Sequence, residues 1–295
     1  MASRDFDALV ERAMQAGGRA HMRPVIEKEL LHCDILFALD TAGLLDRLTI
    51  RGGTALHLCY GAQRFSKDLD FVGGHDVTTA HLQGIKDWIV EQLEKRYGLA
   101  VDVKEPGQPE REAAGRHVAV YRWQIRVTTA PARRDLPRQM IRIEVADVPA
   151  YTRVPRSLQL NYDFLPDGYR DLIVLVESLD EILADKLVSL PACSAYVRHR
   201  DIWDLHWLRQ QGARADAQMI RRKIRDYGVV GYSALVSGLI DRLHAIVHGK
   251  EFRDQMRRFI PQEVQQRTLL KDKFLGVLVE ETAEVLRSAM RMSAS

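Results

Sequence analysis

Two adjacent glycines followed by an Asp-x-Asp constrain the fold of this chain more than any other feature. Arg51-Gly-Gly-Thr-Ala-Leu56 follows the apolar run Leu48-Thr49-Ile50, and Ser66-Lys-Asp-Leu-Asp-Phe71 comes shortly after. The order reads as strand, tight turn, helix and strand. Paired glycines let backbone N–H groups crowd an anion where a helix begins, and the helix dipole favours negative charge there. On a strand, Asp68 and Asp70 point to one face while Leu69 and Phe71 point to the other. Aspartate is disfavoured in strands, and two like charges this close repel, so the pair needs either solvent or a bound cation. Hard carboxylate oxygens suit Mg²⁺ held jointly with substrate phosphates, with Mn²⁺ as the alternative.

A chain of 295 residues, 46% apolar and 28% charged, can bury one elaborate core or two smaller ones. Its apolar runs are too short for a membrane span, and no signal-peptide core follows the N-terminus, so a cytoplasmic location with no membrane partner is expected. Cys33, Cys59 and Cys193 are an odd number and far apart, which fits buried thiols rather than a disulfide framework or a zinc site. Residues 212–295 carry 15 Lys/Arg against 10 Asp/Glu. Their clusters, Arg221-Arg222-Lys223 with Arg225 and Arg257-Arg258, could meet a polyanion or simply form a solvated helix face.

Helical spacing over residues 5–45, broken near Gly17-Gly18 and Pro24, predicts two leading helices. A further helix is expected over Thr79–Tyr97, closed by Gly98. Val, Ile, Tyr and Trp enrichment predicts strands at Ala100–Val103, His117–Thr128, Met140–Val148 and Leu172–Val176, hence a mixed sheet. Beyond Ser178 apolar residues recur every three or four positions. The expected organisation is therefore α+β: a sheet with flanking helices over residues 1–177, then a helical half over 178–295. Ser178 with Glu181 reads as a capping box that starts the next helix, and Pro191 as its stop.

Candidate site residues follow from this layout. In Met140-Ile-Arg-Ile-Glu-Val, Arg142 and Glu144 face away from Ile141, Ile143 and Val145, so Glu144 could stand beside the aspartates as a third ligand or lie in water. Gly52, Gly53 and Thr54 would meet phosphate through backbone amides, or would merely make a turn and helix start. Arg64 and Ser66 lie close enough in sequence to join them. Lys186 falls at the edge of the stripe Leu179, Leu183, Leu187 and Leu190, where a lysine can snorkel to water. Asp201 and Asp204 share one face of an amphipathic helix. His199 and His206 lack a metal-site pattern and receive no chemistry.

Taken in order, Gly52-Gly53-Thr54-Ala55-Leu56, Arg64, Ser66 and Asp68-Leu-Asp-Phe71 resemble the AbiEii/AbiGii toxin family, nucleotidyltransferases of the DNA polymerase β-like superfamily found in type IV toxin–antitoxin pairs. Leu183-Ala-Asp-Lys-Leu187 followed by Arg198-His-Arg-Asp-Ile-Trp-Asp-Leu205 is similar to that family's second signature. The resemblance implies a metal-dependent enzyme that moves a nucleoside monophosphate from an NTP onto an acceptor hydroxyl, with the 3′ end of tRNA the first candidate. It also implies that Lys186 contacts nucleotide phosphates, and that Asp201 or Asp204 orients Lys186, holds the nucleoside or helps deprotonate the acceptor. An antitoxin from a neighbouring gene is implied as well, without direct contact being required. Transfer to a protein hydroxyl, or a non-catalytic binding module, are the alternatives left open.

Overall fold

The computed structural model describes residues 5–15, 17–75, 77–107, 110–111, 118–133, 135–165 and 167–294. Two compact units divide at Glu177 and Ser178: the first draws on Met1–Glu110 and Ala119–Glu177, and the second is built mainly from Ser178–Ser295.

The first unit is a mixed sheet backed by helices. Its strands are β1 (Thr49–Arg51), β2 (Leu69–Val72), β3 (Val101–Lys104), β4 (Glu110–Arg111), β5 (Ala119–Val127), β6 (Gln139–Ala146), β7 (Val154–Ser157) and β8 (Ile173–Val176). They lie in the order β3-β5-β6-β2-β1-β8-β7, with the two-residue β4 on β5. Antiparallel pairing of β1 with β2 and parallel pairing of β2 with β6 place the turn after β1 beside the acids of β2. Alternation sets the faces. Ile50, Leu69, Phe71, Ile141, Ile143, Val145, Trp123, Ile125 and Val127 are buried, while Asp70, Arg122, Gln124, Arg126, Arg142 and Glu144 are half-buried.

Helices α1 (Phe6–Met14), α2 (Arg23–Thr41), α3 (Gly52–Tyr60) and α4 (Ile85–Tyr97) complete this unit. From α2, Ile26, Leu30, Leu31, Ile35, Leu36 and Leu39 are fully buried, each contributing about 1.5–3 kcal/mol by leaving water. A charge is buried with them. Asp34 accepts from Tyr97 Oη at 2.8 Å and from Tyr169 Oη, and Arg96 Nε lies 3.0 Å away, so α2 and α4 are tied through one compensated carboxylate.

The second unit is helical: α5 (Leu179–Ala192), α6 (His199–Gln210), α7 (Ala217–Asp226), α8 (Tyr232–His248), α9 (Lys250–Arg257), α10 (Gln262–Arg267) and α11 (Asp272–Ala294). Helix α5 is its centre and buries Ile182, Leu183, Ala184, Leu187, Val188 and Leu190. Ser178 Oγ caps it by accepting from Glu181 N at 3.2 Å. Among the described residues no helix is long and apolar enough to cross a membrane.

Several expectations need correction. The helix expected over Thr79–Tyr97 is two pieces, a 3₁₀ turn at Thr79–Leu82 and α4, parted where Gly84 takes φ 85°. Pro191 lies within the last turn of α5, which runs one residue past it, instead of stopping the helix. The strand β7 is unforeseen because Val154-Pro-Arg-Ser has three exposed residues and no apolar alternation. The expected strand start at His117 lies outside the described residues.

Candidate functional site

Helix α3 begins at the glycines. Gly52 opens it with φ 68°, a left-handed conformation that costs an L side chain, and Gly61 closes it at φ 77°. Close approach is the second reason for glycine. A methyl on Gly52 would lie 3.2 Å from Asp70 Oδ2, and one on Gly53 would meet Arg64 Nη2 at 2.4 Å and Ser66 Oγ at 3.3 Å. The turn, an aspartate, an arginine and a serine are thus gathered around the start of one helix.

Each neighbour is held by a specific contact. Arg64 is buried and donates through Nη1 to Phe65 O at 2.7 Å. Ser66 is buried. Thr54 is buried too, and its hydroxyl donates to the Asp68 carbonyl, so Thr54 braces the acidic strand, its hydroxyl turned to the backbone. Asp68 Oδ1 accepts from Arg142 N at 3.2 Å, and Lys67 Nζ stands 3.6 Å from Asp68 Oδ2. Behind this loop sits His32, fully buried and hydrogen-bonded to the Lys67 backbone; burial pushes its pKa down to about 4, against the opposing pull of Asp68, so the ring is neutral near pH 7.

Register decides what faces the turn. Arg51, Asp70, Glu144 and Arg122 occupy one row across β1, β2, β6 and β5 and therefore share a face. Glu144 stands beside Asp70 as the alternation predicts, yet its Oε1 accepts from Arg122 Nε at 2.8 Å. Among the described residues no three His, Cys, Asp or Glu side chains are grouped so as to hold a metal ion. Asp68 and Asp70 nonetheless offer the hard oxygens that Mg²⁺ takes, and Asp70 points into space that only a glycine leaves open. Arg122 and His32 were not singled out from the sequence. Arg122 carried a readable signal, since Arg122, Gln124 and Arg126 alternate with Trp123, Ile125 and Val127; His32 sits among apolar neighbours and carried none.

The second signature forms a cluster within the helical unit. Lys186 is 4% exposed, and its Nζ lies 2.7 Å from Asp201 Oδ1 and 2.8 Å from Asp204 Oδ2. It does not snorkel. Asp201 and Asp204 are likewise buried, so the solvent-facing alternative for them is overturned: a buried ammonium requires close anions. Burial pushes the Asp201 carboxyl up, but Arg198, whose Nε lies 2.5 Å from it, together with Lys186 and Arg200 outweighs this and holds it well below the usual range. A parallel cluster uses Lys223, fully buried with Nζ 2.6 Å from Glu181 Oε1 and 3.2 Å from Asp185 Oδ1. Lys223 therefore leaves the basic patch to which its sequence neighbours assigned it.

Comparison with solved structures supports the fold. MenT4, a nucleotidyltransferase toxin from Mycobacterium tuberculosis H37Rv, superposes with a TM-score of 0.60 at 18% identity, over 97% of this chain and 92% of that one. JHP933 from Helicobacter pylori gives 0.42 at 18% identity, over 90% and 92%. Curated proteins yield no match. A family model described as nucleotidyl transferase AbiEii toxin, type IV toxin–antitoxin system, matches residues 34–278. Sheet, glycine turn, acidic strand and this match over most of the sequence lead to one conclusion: the chain belongs to the AbiEii family of nucleotidyl transferase toxins of type IV toxin–antitoxin systems.

Proposed function

We propose that this chain binds an NTP at the Gly52-Gly53 turn and transfers its nucleoside monophosphate to an RNA hydroxyl, most directly the 3′ end of tRNA, releasing pyrophosphate. The observation that carries the reading is the approach of Asp70 Oδ2 to the Gly52 backbone, which supports a phosphate cradle and a carboxylate acting on the same group. Backbone N–H groups at the start of α3 would hold phosphate oxygens along the helix dipole. Arg64, packed against Gly53, would add a guanidinium fork to them, and Ser66 a hydroxyl.

Asp68 and Asp70, with Glu144 once released from Arg122, are the residues that would hold Mg²⁺. Such ions, when bound, activate the incoming hydroxyl and stabilise the leaving oxygens. The protein's own part is positional. Thr54 and the Arg142 amide fix Asp68, while register fixes Asp70. Lys186 is assigned by the family signature to neutralise charge as pyrophosphate departs, and its two aspartates hold the ammonium in place. A cytoplasmic site of action follows from an RNA acceptor, and a cognate antitoxin from the neighbouring gene follows from the family.

Expression with and without the neighbouring gene tests this reading. Growth arrest is expected in its absence, with extra nucleotides at tRNA 3′ ends, and Asp68→Ala should relieve both. Arrest that persists with Asp68→Ala would rule out a catalytic role for this site.

A further inference from the structure

The polar face of the sheet continues past the acids. One register row on from Asp70, Glu144 and Arg122 lies Arg142, Gln124 and Lys104, crossing β6, β5 and β3. The row after that carries Met140, Arg126 and Asp102. Lys104, Asp102 and Met140 are exposed, and Arg142, Gln124 and Arg126 are half-buried, so these side chains reach solvent.

Charge on this face is unequally engaged. Arg122 is paired with Glu144, and Arg126 lies 3.4 Å from Asp102 in an exposed pair of little strength. Among the described residues no ion pair or side-chain hydrogen bond engages Arg142 or Lys104. Two unpaired cations with an amide between them form a row that suits successive anionic groups.

Distance separates the Lys104 end of this row from the nucleotide. Strands lie about 4.8 Å apart, so β3 is about 14 Å from β2 along the sheet. A triphosphate seated between β1 and β2 ends well short of Lys104. The anionic groups that reach from the acids to β3 therefore extend beyond the triphosphate.

We propose that Arg142, Gln124 and Lys104 form the docking surface for the phosphate backbone of the RNA acceptor, which runs from the edge strand β3 toward Asp70. This rests on the reading that the site transfers a nucleotide to RNA. Charge complementarity chooses RNA over an acidic protein, because two unpaired cations two strand spacings apart, about 10 Å, with an amide donor between them suit a chain of linked phosphates.

The test is an RNA-binding titration of the full-length protein across salt concentrations, using a single-stranded RNA oligonucleotide. Arg142→Gln with Lys104→Gln should reduce the slope of log affinity against log salt by about 1.4, and Lys104→Gln alone by about 0.7, near the value for one phosphate contact each. In the Lys104→Gln variant KM for RNA should rise severalfold, with kcat and NTP binding unchanged. Lys104 is exposed on an edge strand, so its single variant reports even if the double one is unstable. An unchanged slope and KM in a variant that still labels RNA would overturn the surface and leave the transfer reading standing. Labelling of protein in place of RNA would overturn both the acceptor and the surface.

Discussion

Replacing Gly52 by alanine tests whether the turn and the acids form one device. Two effects act on that variant. The backbone at φ 68° penalises an L side chain by about 1–2 kcal/mol. The new methyl would also press on Asp70 Oδ2 at 3.2 Å, closer than ordinary contact, and displace the carboxylate by a few tenths of an ångström. Gly61 separates the two effects, since it has φ 77° at the other end of the same helix and a methyl there would meet nothing within 4 Å. Both variants should lose about 1–2 kcal/mol, a fall in Tm of about 2–8 °C for a unit of this size. Only Gly52→Ala should lose transfer activity beyond that, by at least about tenfold, given that a 1 Å misplacement costs about a hundredfold. Thermal melts followed by circular dichroism, with single-turnover transfer from an α-labelled NTP at a temperature where both variants are folded, read the two quantities. Equal activity in the two variants would refute the claim that Gly52 is glycine for the sake of Asp70.

Other consequences are as direct. Thr54→Val removes the donor to the Asp68 carbonyl and should cost about 1 kcal/mol in urea unfolding, with activity falling further than stability because Asp68 loses its brace. Lys186→Met removes the ammonium shared by two buried aspartates and should destabilise the helical unit by about 3–5 kcal/mol, and adding Asp201→Asn and Asp204→Asn should restore part of that loss. His32 makes stability pH-dependent. Its folded pKa, about 4, lies below the ordinary 6.5, so the unfolded chain takes up a proton that the folded one resists; the contribution is complete above pH 6.5 and is lost as pH falls toward 4. Urea titrations at pH 7 and pH 5 should differ by about 2 kcal/mol from this group, and His32→Asn should flatten that interval; a variant with the parent's slope would exclude His32 as the cause.

The glycines, Asp68-x-Asp70 and the alternation around Glu144 could be read because local geometry fixes them: a turn needing positive φ, and a two-residue period that assigns faces. The strand β7 could not, since its residues are exposed and its pairing with β8 is decided by tertiary contact. Lys186, Asp201 and Asp204 were legible as a group but their burial was not, because burial of charge depends on a partner helix that sequence spacing does not position. Lys223 shows the same limit in reverse. It reads as one of three consecutive cations, and only the approach of Glu181 and Asp185 from α5 puts it in the core. Arg122 was visible as a polar position, whereas its ion pair with Glu144 required the register of β5 on β6.

The measurement that bears most directly on the account is label transfer from α-³²P NTPs by the purified protein, with total tRNA and total cell protein offered separately, alongside Asp70→Asn. Label in the RNA fraction that disappears with Asp70→Asn is the predicted result. Undiminished labelling by Asp70→Asn would contradict the proposal that this carboxylate and the Gly52 turn serve the same bound triphosphate.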